Sequence, residues 1–232
     1  MISISIIMPV FNEEKTIKKI LEKLNEIKNK IDLEIIVVND GSTDESAKII
    51  DQNPNYFDKV KHLKKNQGKG KAVIEGLKIS SMEYVFFQDA DLEYNPKDLN
   101  KFIEMTETYK ADLIMGSRFT SNKRSVLHFW HMLGNKFITF LFNIFNNTTF
   151  TDIYCCYCLF RRNNLPISDL KCFGWGQQAE ILTYLVNKSN KIYETSVNYD
   201  GRKYLEGKKI RYYHVLEVMY WIISTKLKTL FK

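Results

Sequence analysis

The chain has no glycine before Gly41, no internal repeat, and no apolar run near the ~18 residues that a membrane-spanning helix requires. A dinucleotide-binding fold needs a glycine-rich turn directly after its first strand, so the usual NAD fingerprint is excluded. The longest apolar stretch, residues 137–145, is broken by Thr139 and Asn143. The chain is therefore not expected to cross a bilayer, although it can lie on one. The first residues read as a strand, without the basic region, apolar run and small-residue cleavage site of a secretory signal, so none is expected. Cysteine is also scarce. Cys155, Cys156, Cys158 and Cys172 are too clustered for a disulfide framework and lack the paired spacing of a zinc ribbon. They fit a reduced, cytosolic protein.

What is present is an ordinary globular balance over 232 residues, 44% hydrophobic and 26% charged, which excludes disorder and collagen-like structure. A chain of this length can bury a full core without staples. Lys plus Arg exceed Asp plus Glu, 34 to 27, for a net charge of +7. That excess favours anionic partners, among them nucleic acid, nucleotides, phosphates and acidic lipid surfaces, without choosing between them.

Apolar patterning alternates strand with helix. Strands are expected over residues 2–10, 33–38, 60–63, 83–88 and 112–116, and helices over 17–27, 44–51, 71–79 and 96–109. Asn12 suits the cap of the first helix, and Glu13 and Glu14 suit its dipole. This alternation implies an α/β fold with a mostly parallel sheet and ligands at the carboxyl ends of its strands. Beyond Arg118 a polar, basic loop at 121–125 is expected. An aromatic amphipathic helix (129–145), a strand (154–160), a helix (177–186), a strand (191–199) and a terminal amphipathic helix (215–230) should follow.

The sharpest local signal is the apolar run 84–87 ending in Gln88, Asp89, Ala90 and Asp91. Alternate residues of an extended segment face one side, so both carboxylates would point into one cleft, a geometry suited to Mg²⁺ or Mn²⁺ bridging to a diphosphate. By contrast, Asn66 to Ala72 only superficially suggests a phosphate loop. It lacks the spaced first glycine, and Ala72 stands where a hydroxyl should bind magnesium.

Pro9 to Glu14 after the first strand, Val38 to Asp44 after the second, and Asp89–Ala90–Asp91 after a later one together resemble the family 2 glycosyltransferases. Gly116–Ser117–Arg118–Phe119, Phe160–Arg161–Arg162 and Gly201 to Lys209 extend the resemblance to the dolichyl or polyprenyl phosphate sugar synthase branch, over roughly residues 3–210. It implies a GT-A domain over 1–210, with residues 211–232 as an amphipathic helix at a membrane surface. It also implies inverting transfer of a sugar from a UDP or GDP sugar to a polyprenyl phosphate, at the cytoplasmic face of a membrane. By position, Pro9, Phe11, Glu13 and Asp40 would hold the nucleobase and ribose, with Lys71 nearby. Asp89, Ala90 and Asp91 would meet the diphosphate and the metal, and Glu93 would supply a third ligand. No nucleic acid is implied, and a second copy of the chain or a membrane protein is allowed as partner.

A lipid phosphate is already anionic near neutral pH and needs cations rather than a base. Arg118, Arg202, Lys208 and Lys209 would supply them, with arginine able to grip phosphate through two parallel bonds. Glu180 falls where relatives acting on hydroxyl groups carry a base, which keeps a glycan-hydroxyl acceptor as the alternative; a catalytically silent membrane scaffold is a further one. The stretch Thr151 to Arg161 departs from the branch's Thr-Ser-Gly-Phe-Arg by carrying cysteines, and Lys208–Lys209 replaces the usual Ser-Lys. His128 and His131, three residues apart, could face a ligand, although packing at the interface is the role expected of them.

Overall fold

The computed structural model describes residues 2–28, 31–121, 129–201 and 214–231. Arg202, Lys208, Lys209, His128 and most of the expected 121–125 loop lie outside them.

Among the described residues seven strands form one sheet. They are β1 (Ile4–Val10), β2 (Leu33–Asn39), β3 (Lys59–His62), β4 (Tyr84–Phe87), β5 (Leu113–Ser117), β6 (Cys158–Arg161) and β7 (Ile192–Ser196), in the order β3-β2-β1-β4-β6-β5-β7. All paired neighbours are parallel except β6, which runs antiparallel to both β4 and β5. The helices are α1 (Ile17–Lys28), α2 (Ser46–Asp51), α3 (Lys69–Ile79), α4 (Leu99–Tyr109), α5 (Phe129–Asn146), α6 (Gln177–Lys188) and α7 (His214–Leu230).

The apolar run 35–38 of β2 reflects burial on both faces. Leu33, Ile35 and Val37 join the large core with Ile17, Ile20, Leu21 and Leu24 of α1, whereas Ile36 and Val38 join a smaller cluster with Ala72 of α3. The last helix, α7, packs against both α5 and α6.

Three local expectations are corrected. Asn12 does not cap α1, which begins five residues later; its backbone is left-handed at φ 55°, and its side-chain oxygen accepts from Thr43 N at 2.8 Å. Asn12 therefore clamps the loop after β1 to the loop after β2. Residues 154–157 are not strand, and only Cys158–Arg161 pairs. The expected helix over 96–109 opens instead as a 3-10 turn, Pro96–Asp98, whose first turn is closed by Asn95 accepting from Lys97 N.

Candidate active site

A cavity of about 500 Å³ opens over the carboxyl ends of β1, β2 and β4. Pro9, Phe11 and Glu13 reach it from β1, Asp40 from β2, and Asp89, Ala90, Asp91 and Glu93 from β4. The sheet topology thus gathers the candidates that the sequence scatters over more than eighty positions. Clamps hold the loops in place: Ser46 Oγ accepts from Glu13 N at 2.8 Å, and Ser42 Oγ accepts from Asn12 N at 3.1 Å.

Asp40 faces this cavity, but its carboxylate is engaged. It accepts from Gln67 N and Gly68 N at 2.9 Å each and from Asn66 Nδ2 at 3.0 Å. Burial raises its pKa against those donors, so the site keeps some cost of charge that the amides offset. The loop it tethers ends at Gly68, whose φ of 96° and closeness to Phe173 O (2.6 Å from an added Cβ) exclude a side chain there. From this turn α3 begins, and Lys69 projects its Nζ to 2.6 Å from Asp89 Oδ1. Burial would lower the Lys69 pKa, yet the negative charge of Asp89 prevails and raises it.

Lys71 is a correction. Two residues further along a helix the side chain points roughly 200° away, and Lys71 pairs with Glu75 at 2.9 Å while lying over the Phe173 ring. Lys69, in the segment dismissed as a degenerate phosphate loop, is the lysine that meets the carboxylates.

Glu93 as a third metal ligand is also corrected. Its Oε2 accepts from Tyr199 OH at 2.7 Å, and among the described residues no group of three His, Cys, Asp or Glu lies close enough to hold an ion. Asp89 and Asp91 on one wall still fit Mg²⁺ or Mn²⁺ of the kind that takes one or two carboxylates and completes its shell with substrate phosphates and water.

Arg118 lines the cavity too, with its fork closed. Nε and Nη2 donate to Asp152 at 2.7 and 2.8 Å, and the guanidinium lies over the rings of Phe119 and Tyr199. Those two donors are not open to grip a phosphate in parallel. Glu180 is overturned as a base: it is 0% exposed and not on the cavity wall, and its carboxylate accepts from Lys171 N and Cys172 N at 2.9–3.1 Å. Burial raises its pKa against those two amides. It anchors residues 171–173, and Phe173 O in turn accepts from Gly70 N at 3.0 Å, so Glu180 supports the start of α3 from behind.

Residues 5–165 match the sequence model for glycosyl transferase family 2. The chain belongs to that family. It is 34% identical over 233 residues to dolichyl-phosphate beta-glucosyltransferase of Dictyostelium discoideum, covering 87% of this chain and 68% of that protein. It is 23% identical over 227 residues to undecaprenyl-phosphate 4-deoxy-4-formamido-L-arabinose transferase of Proteus mirabilis, covering 95% and 67%. Its likeness to the polyprenyl phosphate sugar synthase branch rests on these relatives, of whose length it spans about two thirds. Glucosyl-3-phosphoglycerate synthase of Mycobacterium tuberculosis, solved with Mn²⁺, UDP and phosphoglyceric acid, superposes with a TM-score of 0.71 at 17% identity, covering 98% of this chain and 78% of that one. The fold is GT-A-like.

The glycosyltransferase cavity also includes residues that motif reading passed over. Tyr94, Trp175, Gln177 and Gln178 line it, and so does His131, which was expected to pack at an interface. Asn135 joins His131 on the wall from one helical turn further along α5. That i, i+4 polar pair on an aromatic-rich helix was the available signal. The four cysteines are free and buried, with Cys155 and Cys156 in the cavity wall and their thiol pKa values pushed up by burial.

Proposed function

We propose that this glycosyltransferase moves a sugar, with inversion, from a nucleotide diphosphate sugar to a polyprenyl phosphate at a membrane surface. The observation that carries this reading is the position of Glu180. The carboxylate on which a hydroxyl acceptor relied as base is buried and bonded to backbone amides. A phosphate oxygen can attack the anomeric carbon without losing a proton, while the bond to the diphosphate breaks. The names of the curated relatives support the same acceptor class.

In this reading Pro9, Phe11 and Glu13 border the nucleoside, and Asp40 acts through the loop 66–68 that it holds. Lys69, once drawn from Asp89, faces the diphosphate as a resident cation. Asp89 and Asp91 would hold a divalent ion, which would supply positive charge to the leaving diphosphate. Arg118 keeps its charge beside Tyr199 through Asp152, and Arg202, Lys208 and Lys209 remain proposed acceptor-phosphate contacts.

Membrane contact is proposed for α5 and α7. Trp130 (77% exposed), Phe137, Phe140 (59%) and Ile144 stand out from α5, and Leu216, Tyr220, Leu227 and Leu230 from α7. Among the described residues no helix is long and apolar enough to cross a bilayer. Such aromatic helices, with basic neighbours, suit an interfacial position on the cytoplasmic leaflet, with residues 211–232 as the surface unit.

The test is a screen of UDP and GDP sugars against polyprenyl phosphate with Mg²⁺ or Mn²⁺. Formation of a lipid phosphosugar matched by nucleoside diphosphate release is expected. Transfer confined to glycan hydroxyl acceptors would overturn the acceptor assignment.

A further inference from the structure

The turn over residues 172–176 is wedged between two helices, α7 and α3. On the α7 side Glu217 Oε1 accepts from Gly176 N at 3.4 Å and from the Cys172 thiol at 3.8 Å. The same carboxylate fills the space that a side chain on Gly174 would need, and the Trp221 side chain does so at Gly176. Val218 and Ile222, one position beyond each, are buried in the main core, so the helix that carries both contacts is itself anchored.

On the α3 side the wedge meets two glycines. Phe173 O accepts from Gly70 N at 3.0 Å, and a Cβ on Gly70 would stand 2.5 Å from Cys172 O. Gly68 is equally tight, with Phe173 O 2.6 Å from the place of its Cβ. Between these glycines stands Lys69, whose Nζ lies 2.6 Å from Asp89 Oδ1. Close-packed backbone transmits displacement, so a shift of the turn moves the backbone that carries Lys69. Neither Glu217 nor Trp221 lines the cavity, and their influence on it must pass through the turn. We infer that Glu217 and Trp221 are positioning residues for Lys69: they press the 172–176 turn against the start of α3 and so aim the lysine at the diphosphate. This rests on the nucleotide diphosphate reading of the same cavity. The inner face of α7 then serves the binding site, while Leu216, Tyr220 and Leu227 stay exposed.

Calorimetric titration of the full chain with UDP and GDP in Mn²⁺ tests this, on the wild type, Glu217→Ala, Lys69→Ala and the double variant. Glu217→Ala should lose about fivefold in affinity, the scale of one hydrogen bond, whereas Glu217→Gln, which keeps the accepting oxygen, should stay within about twofold. In the Lys69→Ala background the Glu217→Ala change should cost less than about twofold, because residues that act through one contact are not additive. Melting curves without nucleotide report folding, and where Glu217→Ala fails to fold, Trp221→Leu carries the same cycle. A lower melting temperature with wild-type affinity would make Glu217 merely structural and overturn the inference. So would the full loss in the Lys69→Ala background, which would route the effect through the cavity wall at Gly174 and Trp175. A wild type that binds neither UDP nor GDP would overturn the nucleotide reading beneath it.

Discussion

At the scale of single residues, two lysines two positions apart have opposite fates. Lys69 reaches Asp89 from the first turn of α3, and Lys71 turns to Glu75. Lys69→Ala should weaken nucleotide diphosphate binding on the order of tenfold, the scale of one charge-assisted contact. Lys71→Ala should leave it within about twofold; equal losses in a binding titration would dissolve the distinction. Asp91→Asn should nearly abolish transfer, because Lewis-acid stabilisation of a leaving diphosphate is worth several kcal/mol. Wild-type turnover with unchanged metal dependence would remove the acidic pair from the chemistry. Glu180→Gln should behave as a structural lesion. Its carboxylate meets two backbone amides, so about 1–3 kcal/mol of stability should go, seen as a lower melting temperature. The rate per folded molecule should hold, and a dead but fully stable variant would restore Glu180 as a base.

Elements were largely legible from periodicity, because each strand and helix of this fold is amphipathic or buried over most of its length. The loops after β1, β2 and β4 were legible as motifs for a related reason: their chemistry is local. What could not be read was pairing across distance. Arg118 meets Asp152 thirty-four positions away, Asp40 meets residues 66–68, and Glu180 folds back on the amides of Lys171 and Cys172. Composition assigns each a charge and says nothing of its partner. The same limit applies to α7, whose Trp221 side chain lies against Gly176 of the turn before α6. The membrane test therefore belongs to α5. Phe140→Ser, at a site 59% exposed, should reduce flotation with anionic liposomes at little cost in melting temperature. Binding in the wild type should weaken with salt. A wild type that stays in the soluble fraction at low salt would leave these aromatics to a protein partner.

For the whole molecule, Glu34 and Glu75 set the acid limit. Glu34 links β2 to Ser5 of β1, to Ser81 and to Lys59; burial would raise its pKa, but these partners hold it at about 2. Glu75 of α3, ringed by Lys61, Lys71 and Lys78, is likewise held against burial at about 2. A folded pKa below the unfolded value gives stability that is complete above the unfolded pKa and is lost as pH falls through the folded one. Denaturant midpoints should thus be level near neutrality and fall from about pH 4.5 toward pH 2, and Glu34→Gln should flatten part of that slope. An identical slope in the variant would exclude Glu34 as a contributor.

The reversed strand β6 has a consequence for the order in which the chain is made. Among the described residues it is the strand that joins β4 to β5, so β5 leaves the ribosome more than forty residues before the strand that attaches it to the sheet. The nascent chain can assemble β3-β2-β1-β4, and with it the loops carrying Pro9, Asp40, Asp89 and Asp91, while β5 waits unpaired. The nucleotide half is the earlier-born half, and the edge of β4 stays open until residues 158–161 emerge. Translation that stalls within this interval leaves an incomplete enzyme with an exposed apolar strand edge.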